Sequence, residues 1–312
     1  MNSRFQDIKA RFAAGALSKS DFIVQMHEQI HSVLFDYASC LGSTDVASIE
    51  ICDGQVLMTS RVDSIRIAVD ADDHRTAPIE ILNFGSYEPE ETEVIRRIAK
   101  DMNTMLDIGA NIGWYSLLAK KINPNSSIHS FEPIPTTFDK LKYNCSLNDC
   151  SSINCHNYGF SAAPGSFPFY FYPEGGVNAS LQNLSGRDDV FIVECQLRVL
   201  DSVLEWLEPD SEVDFIKCDV EGNELFVMQG GMALISHHKP ILFLELLRKW
   251  SAKFGYHPNE VISLLEEIGY NAYVVSPGKG LLHIPQITDD TLQTNFFFVH
   301  PESRLYSLVF NP

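Results

Sequence analysis

MLDIGANIGWYS, residues 105–116, is the stretch whose reading decides the fold. Apolar residues lead into Asp107, a glycine-rich turn follows, and a helical pattern opens at Trp114. A strand that turns through glycines into a helix is the first unit of a nucleotide-type α/β domain. A dinucleotide turn reads G-x-G-x-x-G, and its second glycine lets a pyrophosphate approach the backbone. Here the turn is Gly109-Ala110-Asn111-Ile112-Gly113-Trp114, with Asn111 where that glycine belongs. A polar amide there suits amino-acid groups, and Asp107 suits a cationic ligand. S-adenosylmethionine has both features.

Outward from this turn, the chain repeats strand, turn and helix. Strands are predicted at 105–109, 127–132, 153–158, 212–219, 240–246, 271–276 and 294–300, with helices at 135–148, 223–236 and 258–268. The runs DFIKCDV and ILFLEL are nearly continuous apolar stretches, as parallel strands covered on both faces require. The pattern is that of a doubly wound, Rossmann-like α/β sheet. Between 161 and 200 the alternation fails, and SFPFYFYP, GGVNASLQN and FIVECQLRVLD read as an inserted set of extended strands beside the acceptor pocket. The aromatics of FPFYFYP read first as core or sheet face and second as a sugar-stacking wall.

Before the turn, residues 1–78 are expected to form an N-terminal α+β extension, and 79–312 the main domain. Phe22, Met26, Ile30, Val33, Leu34 and Tyr37 recur at threes and fours within a helical pattern from about Arg4 to Leu41, a packing face or an oligomer contact. Residues 48–70 alternate around DG, which predicts a β-hairpin with a possible extra strand.

Composition narrows the partners. The chain has 312 residues, 45% hydrophobic and 21% charged, and 41 acids against 23 Lys plus Arg give a net charge of -18. That field repels nucleic acid and anionic lipid. The longest apolar run, PILFLELL, is interrupted by Glu245, and no apolar stretch of signal-peptide length opens the chain, so no membrane span is expected. Seven scattered cysteines without a C-x2-C pair suit reduced thiols and a cytoplasmic location.

LDIGANIGWYSLLA, FEPIPTTFDKLKYN, LDSVL, DFIKCDVEGNELFVMQGG and KPILFLEL, in this order, resemble the FkbM family of class I S-adenosylmethionine-dependent methyltransferases, over roughly Ile79 to Pro301. The resemblance implies a seven-stranded sheet with an antiparallel last strand, and O-methylation, often of sugar hydroxyls in glycans, glycolipids or natural products. It implies that Asp107, Gly109, Asn111 and Gly113 hold the methionine part, that Glu132, followed by Pro133, holds the ribose, and that Gly159 and Phe160 flank the adenine. The family often has His after the glycine of DVEG; here it is Asn223. An acid 25 residues after Asp107 also fits a NAD site, so a NAD-dependent oxidoreductase stays as an alternative, as does a binding module without turnover.

Methyl transfer to a hydroxyl needs in-line positioning and a group to take the proton. Along DFIKCDVEGNE, strand alternation puts Lys217, Asp219 and Glu221 on one side as catalytic candidates, with Asp219 also on the cofactor side. The plainer reading pairs Lys217 with a carboxylate and uses Glu221 and Glu224 as helix caps. Asp219 and Glu245, ending adjacent strands, could share Mg2+, although no metal is expected. Tyr87 and Glu88 are candidates for a lid over the sulfonium, while Glu90 and Glu93 suit a helix N-terminus. The expected partner is a small-molecule or glycan acceptor, with a homo-oligomer formed through the N-terminal region as a further expectation.

Overall fold

The structure, a computed structural model, describes residues 4–71, 73, 75–172, 175–184, 186–208 and 211–310. Strands β1 (Val46–Cys52), β2 (Gln55–Ser60) and β3 (Arg66–Val69) form an antiparallel meander, so the possible third strand is present. Asp53 and Gly54 take φ of 50° and 78°, the two-residue primed turn that the DG pair favours.

The remaining strands are β4 (Thr104–Ile108), β5 (Ser127–Phe131), β6 (Asn154–His156), β7 (Gly159–Phe160), β8 (Gly165–Tyr172), β9 (Gly175–Ser180), β10 (Phe191–Arg198), β11 (Val213–Cys218), β12 (Ile241–Glu245), β13 (Asn271–Ser276), β14 (Gly280–His283) and β15 (Asn295–Val299). The main sheet has the order β14-β13-β15-β12-β11-β4-β5-β6. β6, β5, β4, β11 and β12 run parallel, and β15 runs antiparallel to both β12 and β13. This is the sheet that the resemblance implies, with the last strand reversed. β14 adds an eighth strand, paired to β13 through a short hairpin. Three residues, Pro277, Gly278 and Lys279, separate these two strands, so the expectation of seven missed the hairpin.

Successive residues of the central strands feed opposite faces, as the period of two requires. Met105, Phe215 and Phe243 pack with Leu117, Leu118 and Ile95, whereas Leu106, Ile216 and Leu242 pack with Val227, Ile235 and Leu265. The meander's Met58 and Ile67 belong to the first of these cores. Two asparagines of the helix Pro135–Leu147 and its end fasten the meander. Asn144 Oδ1 accepts from Ala68 N while its Nδ2 donates to Ile112 O, and Asn148 binds both the N–H and the C=O of Arg66. They occupy the outer edge of β3, which would otherwise present open backbone groups.

The predicted helix 223–236 is two helices, Glu224–Gln229 and Met232–His238. A Cβ on Gly230 would fall 2.4 Å from Ser161 O, and one on Gly231 2.6 Å from Leu200 Cδ2. The chain that enters the insertion therefore passes against this break. Within the insertion, β7, β10, β8 and β9 make a separate four-stranded sheet, whose inner residues Phe169, Cys195 and Leu197 pack on Ile134.

Candidate active site

The glycine turn follows β4 and is held from both sides. Gly109 N and Ala110 N both donate to Phe131 O at 3.0 Å. Gly109 has φ of 73°, and a Cβ there would fall 1.9 Å from Asp219 O. The glycine is thus required by the approach of the β11 end, whatever the turn binds. Asn111 (φ 49°) and Gly113 (φ 92°) also take left-handed backbone. Gly113 opens the helix Trp114–Ile122 against Leu141.

Beneath the turn, Asp107 is 1% exposed. Its Oδ2 accepts from Ser116 Oγ at 2.5 Å, and Lys217 Nζ lies 3.8 Å from its Oδ1. Lys217 Nζ also donates to Gly109 O at 2.7 Å and lies 3.3 Å from Asp219 Oδ2. Burial alone would lower the lysine's pKa, but the Asp219 and Asp107 charges outweigh it and hold the ammonium form. Lys217 is therefore a strut that joins the turn to Asp219, the carboxylate pairing that the plainer sequence reading expects.

Above the turn lies a solvent-open cleft with about 620 Å³ of empty space. Gly109, Asn111, Glu132, Pro133, Gly159, Phe160, Asp219 and Glu221 line it, together with Ile134, Val220 and Asn223. The insertion contributes Phe169, Ala179, Leu181 and Leu197. Asp107, Gly113 and Lys217 shape this cleft from outside its lining. Tyr87 and Glu88 stand behind the lining, packed on the helix that follows the glycine turn, where both feel the Asp219 charge and Tyr87 also that of Glu245. The ring of Tyr87 meets Trp114 edge-on at 5.8 Å, and Glu88 accepts from Tyr115 Oη and from Asn295 Nδ2 at 2.7 Å. Glu88 holds a left-handed φ of 41° at the cap of the helix Pro89–Ala99, a strained conformation of the kind found at functional sites.

Glu132 lines the cleft beside Asn111 and Pro133. Its Oε2 accepts from Asn111 N at 3.1 Å and its Oε1 from Ile134 N at 2.9 Å. A carboxylate has about four lone-pair positions, so these bonds leave room for two further donors. Burial pushes its pKa up to about 7 against the pull of the two amides.

Asp219, Glu221 and Glu245 bring carboxylate oxygens within 4.8 Å of one another, from the ends of β11 and β12. Burial and then the Asp219 charge hold both Glu221 and Glu245 well above the ordinary carboxylate range. Glu221 Oε2 is buried without a hydrogen-bond partner. Glu224, the first residue of its helix, folds back on the preceding turn rather than capping: its Oε1 accepts from Val220 N and Gly222 N at 3.1 Å, and burial raises its pKa to about 7. Glu221 takes no such role. Its carbonyl instead accepts from Ser180 Oγ at 2.9 Å, so β9 pins the acidic turn. Asn223 is also a brace, donating from Nδ2 to Phe160 O at 2.9 Å. Ser180 and the bracing role of Asn223 carry no sequence signal, because both depend on where the insertion folds back.

The Methyltransferase FkbM domain matches residues 107–272, more than half of the chain. The chain belongs to this family. Among curated relatives, Methyltransferase sdnD of Sordaria araneosa is 29% identical, over 54% of this chain and 73% of its own. Methyltransferase 1 of Beauveria bassiana is 28% identical over 42% of this chain, which spans 59% of that relative. Hexuronic acid methyltransferase AglP of Haloferax volcanii is 28% identical, over 57% of this chain and 68% of its own. The crystal structure of Methyltransferase FkbM from Methylobacillus flagellatus KT aligns at 17% identity and a TM-score of 0.39, covering 88% of this chain and 60% of that one. The methyltransferase reading thus prevails over the NAD-dependent oxidoreductase.

Proposed function

We propose that this methyltransferase uses S-adenosylmethionine to methylate a hydroxyl of a sugar, a glycan or a glycosylated natural product. The observation that carries the reading is the single cleft running from Glu132 and the Asn111 turn to the Asp219–Glu221 carboxylates. Glu132 has unused acceptor positions at the place expected of a ribose-binding acid, and Gly159 and Phe160 stand beside it. S-adenosylmethionine supplies a sulfonium-bound methyl group. The acids at the mouth favour that positive charge.

The protein's own part is orientation and proton removal. A hydroxyl held in line needs a base nearby. Glu221 and Glu245, which burial holds well above the ordinary carboxylate range, are stronger bases than free carboxylates once ionised. Asp219, paired with Lys217, is placed to orient the hydroxyl or to take its proton. A second reading, assistance by Mg2+, is favoured by the three converging carboxylates, whose hard oxygens suit that ion. Asp219, Glu221 and Glu245 would hold it, and it would lower the hydroxyl's pKa.

The relative described as a hexuronic acid methyltransferase is a precedent for carbohydrate acceptors. Here an acceptor carboxylate would face the acids at the cleft mouth, so a hydroxyl is the favoured nucleophile. The test is to incubate the protein with labelled S-adenosylmethionine and sugars, sugar nucleotides, glycolipids and glycosylated metabolites, then locate the label by mass spectrometry. A labelled methyl ether on a hydroxyl oxygen is the expected result. Label only on nitrogen or carboxylate oxygen would overturn the acceptor class, and NAD released from the purified protein would overturn the cofactor.

A further inference from the structure

The N-terminal helices carry an apolar surface that the rest of the described chain does not cover. Lys19–Met26, the π-helical turn His27–His31 and Ser32–Cys40 follow one another without a break, and Arg4–Ala13 folds back on them with Phe12 and Phe22 stacked at 4.3 Å. Within these helices the buried residues are Ile8 and Met26. Ile23, Val24, Val33, Leu34, Phe35 and Tyr37 stand 43–67% exposed. Apolar residues on several sides of one helix are the pattern of a helix surrounded by protein.

Charge selects the occupant. Between residues 4 and 40, Arg4, Lys9, Arg11 and Lys19 balance Asp7, Asp21, Glu28 and Asp36, so the arm is neutral although the whole chain carries -18. Lipid-binding amphipathic helices are rich in Lys and Arg on the polar face; this arm has no such excess, and the acidic body is repelled by anionic lipid. Two neutral arms meet without charge repulsion between their own surfaces. With side chains of about 150–250 Å² for the aromatics, the exposed apolar residues offer on the order of 600 Å² per chain, close to the roughly 800 Å² per partner of a stable interface.

We propose that this arm pairs with the arm of a second copy of the chain, two helical hairpins closing into a four-helix bundle around Leu34 and Phe35. The pairing is isologous, so each surface meets its own counterpart. It does not depend on the cofactor or acceptor.

The test is light scattering on the full chain after size exclusion at micromolar concentration. The wild type is expected at twice the chain mass. The double variant Leu34→Glu/Phe35→Glu is expected at the single-chain mass with an unchanged far-ultraviolet circular dichroism spectrum, and Phe35→Ser, which adds no charge, weakens the dimer in the same direction. Leu292→Glu, an exposed apolar site off the arm (87% exposed), leaves the dimer intact. A monomeric wild type overturns the proposal, and its flotation with phosphatidylcholine/phosphatidylserine vesicles would assign the surface to lipid instead. A dimer that survives both arm variants overturns it as well.

Discussion

Glu132 shows how one side chain is committed twice. Two backbone amides hold its carboxylate in place, and its unused lone pairs face the cleft. Glu132→Ala is expected to weaken adenosylhomocysteine binding by about 1.5–3 kcal/mol, the worth of charge-assisted hydrogen bonds, read by calorimetry. With a pKa of about 7, the wild-type carboxyl becomes a charged acceptor as pH rises. Affinity should therefore increase between about pH 6 and pH 8, and Glu132→Gln should flatten that slope. Unchanged affinity in a folded Ala variant would give the ribose role to another residue. The mouth acids behave differently. Asp219→Asn and Glu221→Gln are each expected to keep adenosylhomocysteine affinity and to lower the methyl transfer rate by about 10²-fold or more. If a carboxylate is the base, EDTA changes little; if Mg2+ assists, EDTA abolishes activity and added Mg2+ restores it. Full activity in both variants would leave the reaction to positioning alone.

Among elements, the contact between β3 and the helix Pro135–Leu147 rests on polar side chains. Asn144 is 1% exposed and ties β3 to the carbonyl of Ile112 inside the glycine turn. Asn144→Ala strands a buried N–H and a buried C=O, each costing roughly 1–3 kcal/mol. Urea unfolding should show a loss in that range, with weaker cofactor binding because Ile112 loses its brace. A wild-type urea midpoint in the variant would show that the meander is held by its apolar contacts alone.

Over the whole molecule, net charge and buried acids act in the same direction. Glu132 and Glu224 each have a folded-state pKa of about 7, above the ordinary value of 4.5, because both are buried. An acid whose pKa is raised on folding contributes stability that is complete below its unfolded pKa and is lost as pH rises through the folded value. The ligand-free protein should therefore melt at a lower temperature at about pH 8 than at about pH 5.5, and Glu224→Gln should reduce the difference. Self-repulsion at -18 adds to the slope and is screened by salt, whereas the buried part is not. A melting temperature that rises steadily with pH would show that these acids are ionised at little cost.

The sequence by itself determined the parallel sheet, the glycine turn and the inserted strands, because each is a local pattern: MLDIGANIGWYS, the apolar runs DFIKCDV and ILFLEL, and the extended 161–200 stretch. Glu132 was legible in the same way, as an acid at a strand end one unit after the turn. Lys217 was legible as a residue type at a strand end but not as a strut, since its partners Gly109 and Asp107 lie over 100 residues earlier. The gathering of Asp219, Glu221 and Glu245, the Ser180 latch and the broken helix at Gly230–Gly231 were decided only by tertiary structure. Each depends on how closely two distant backbones approach, and hydrophobic periodicity specifies which face is buried without specifying what lies against it.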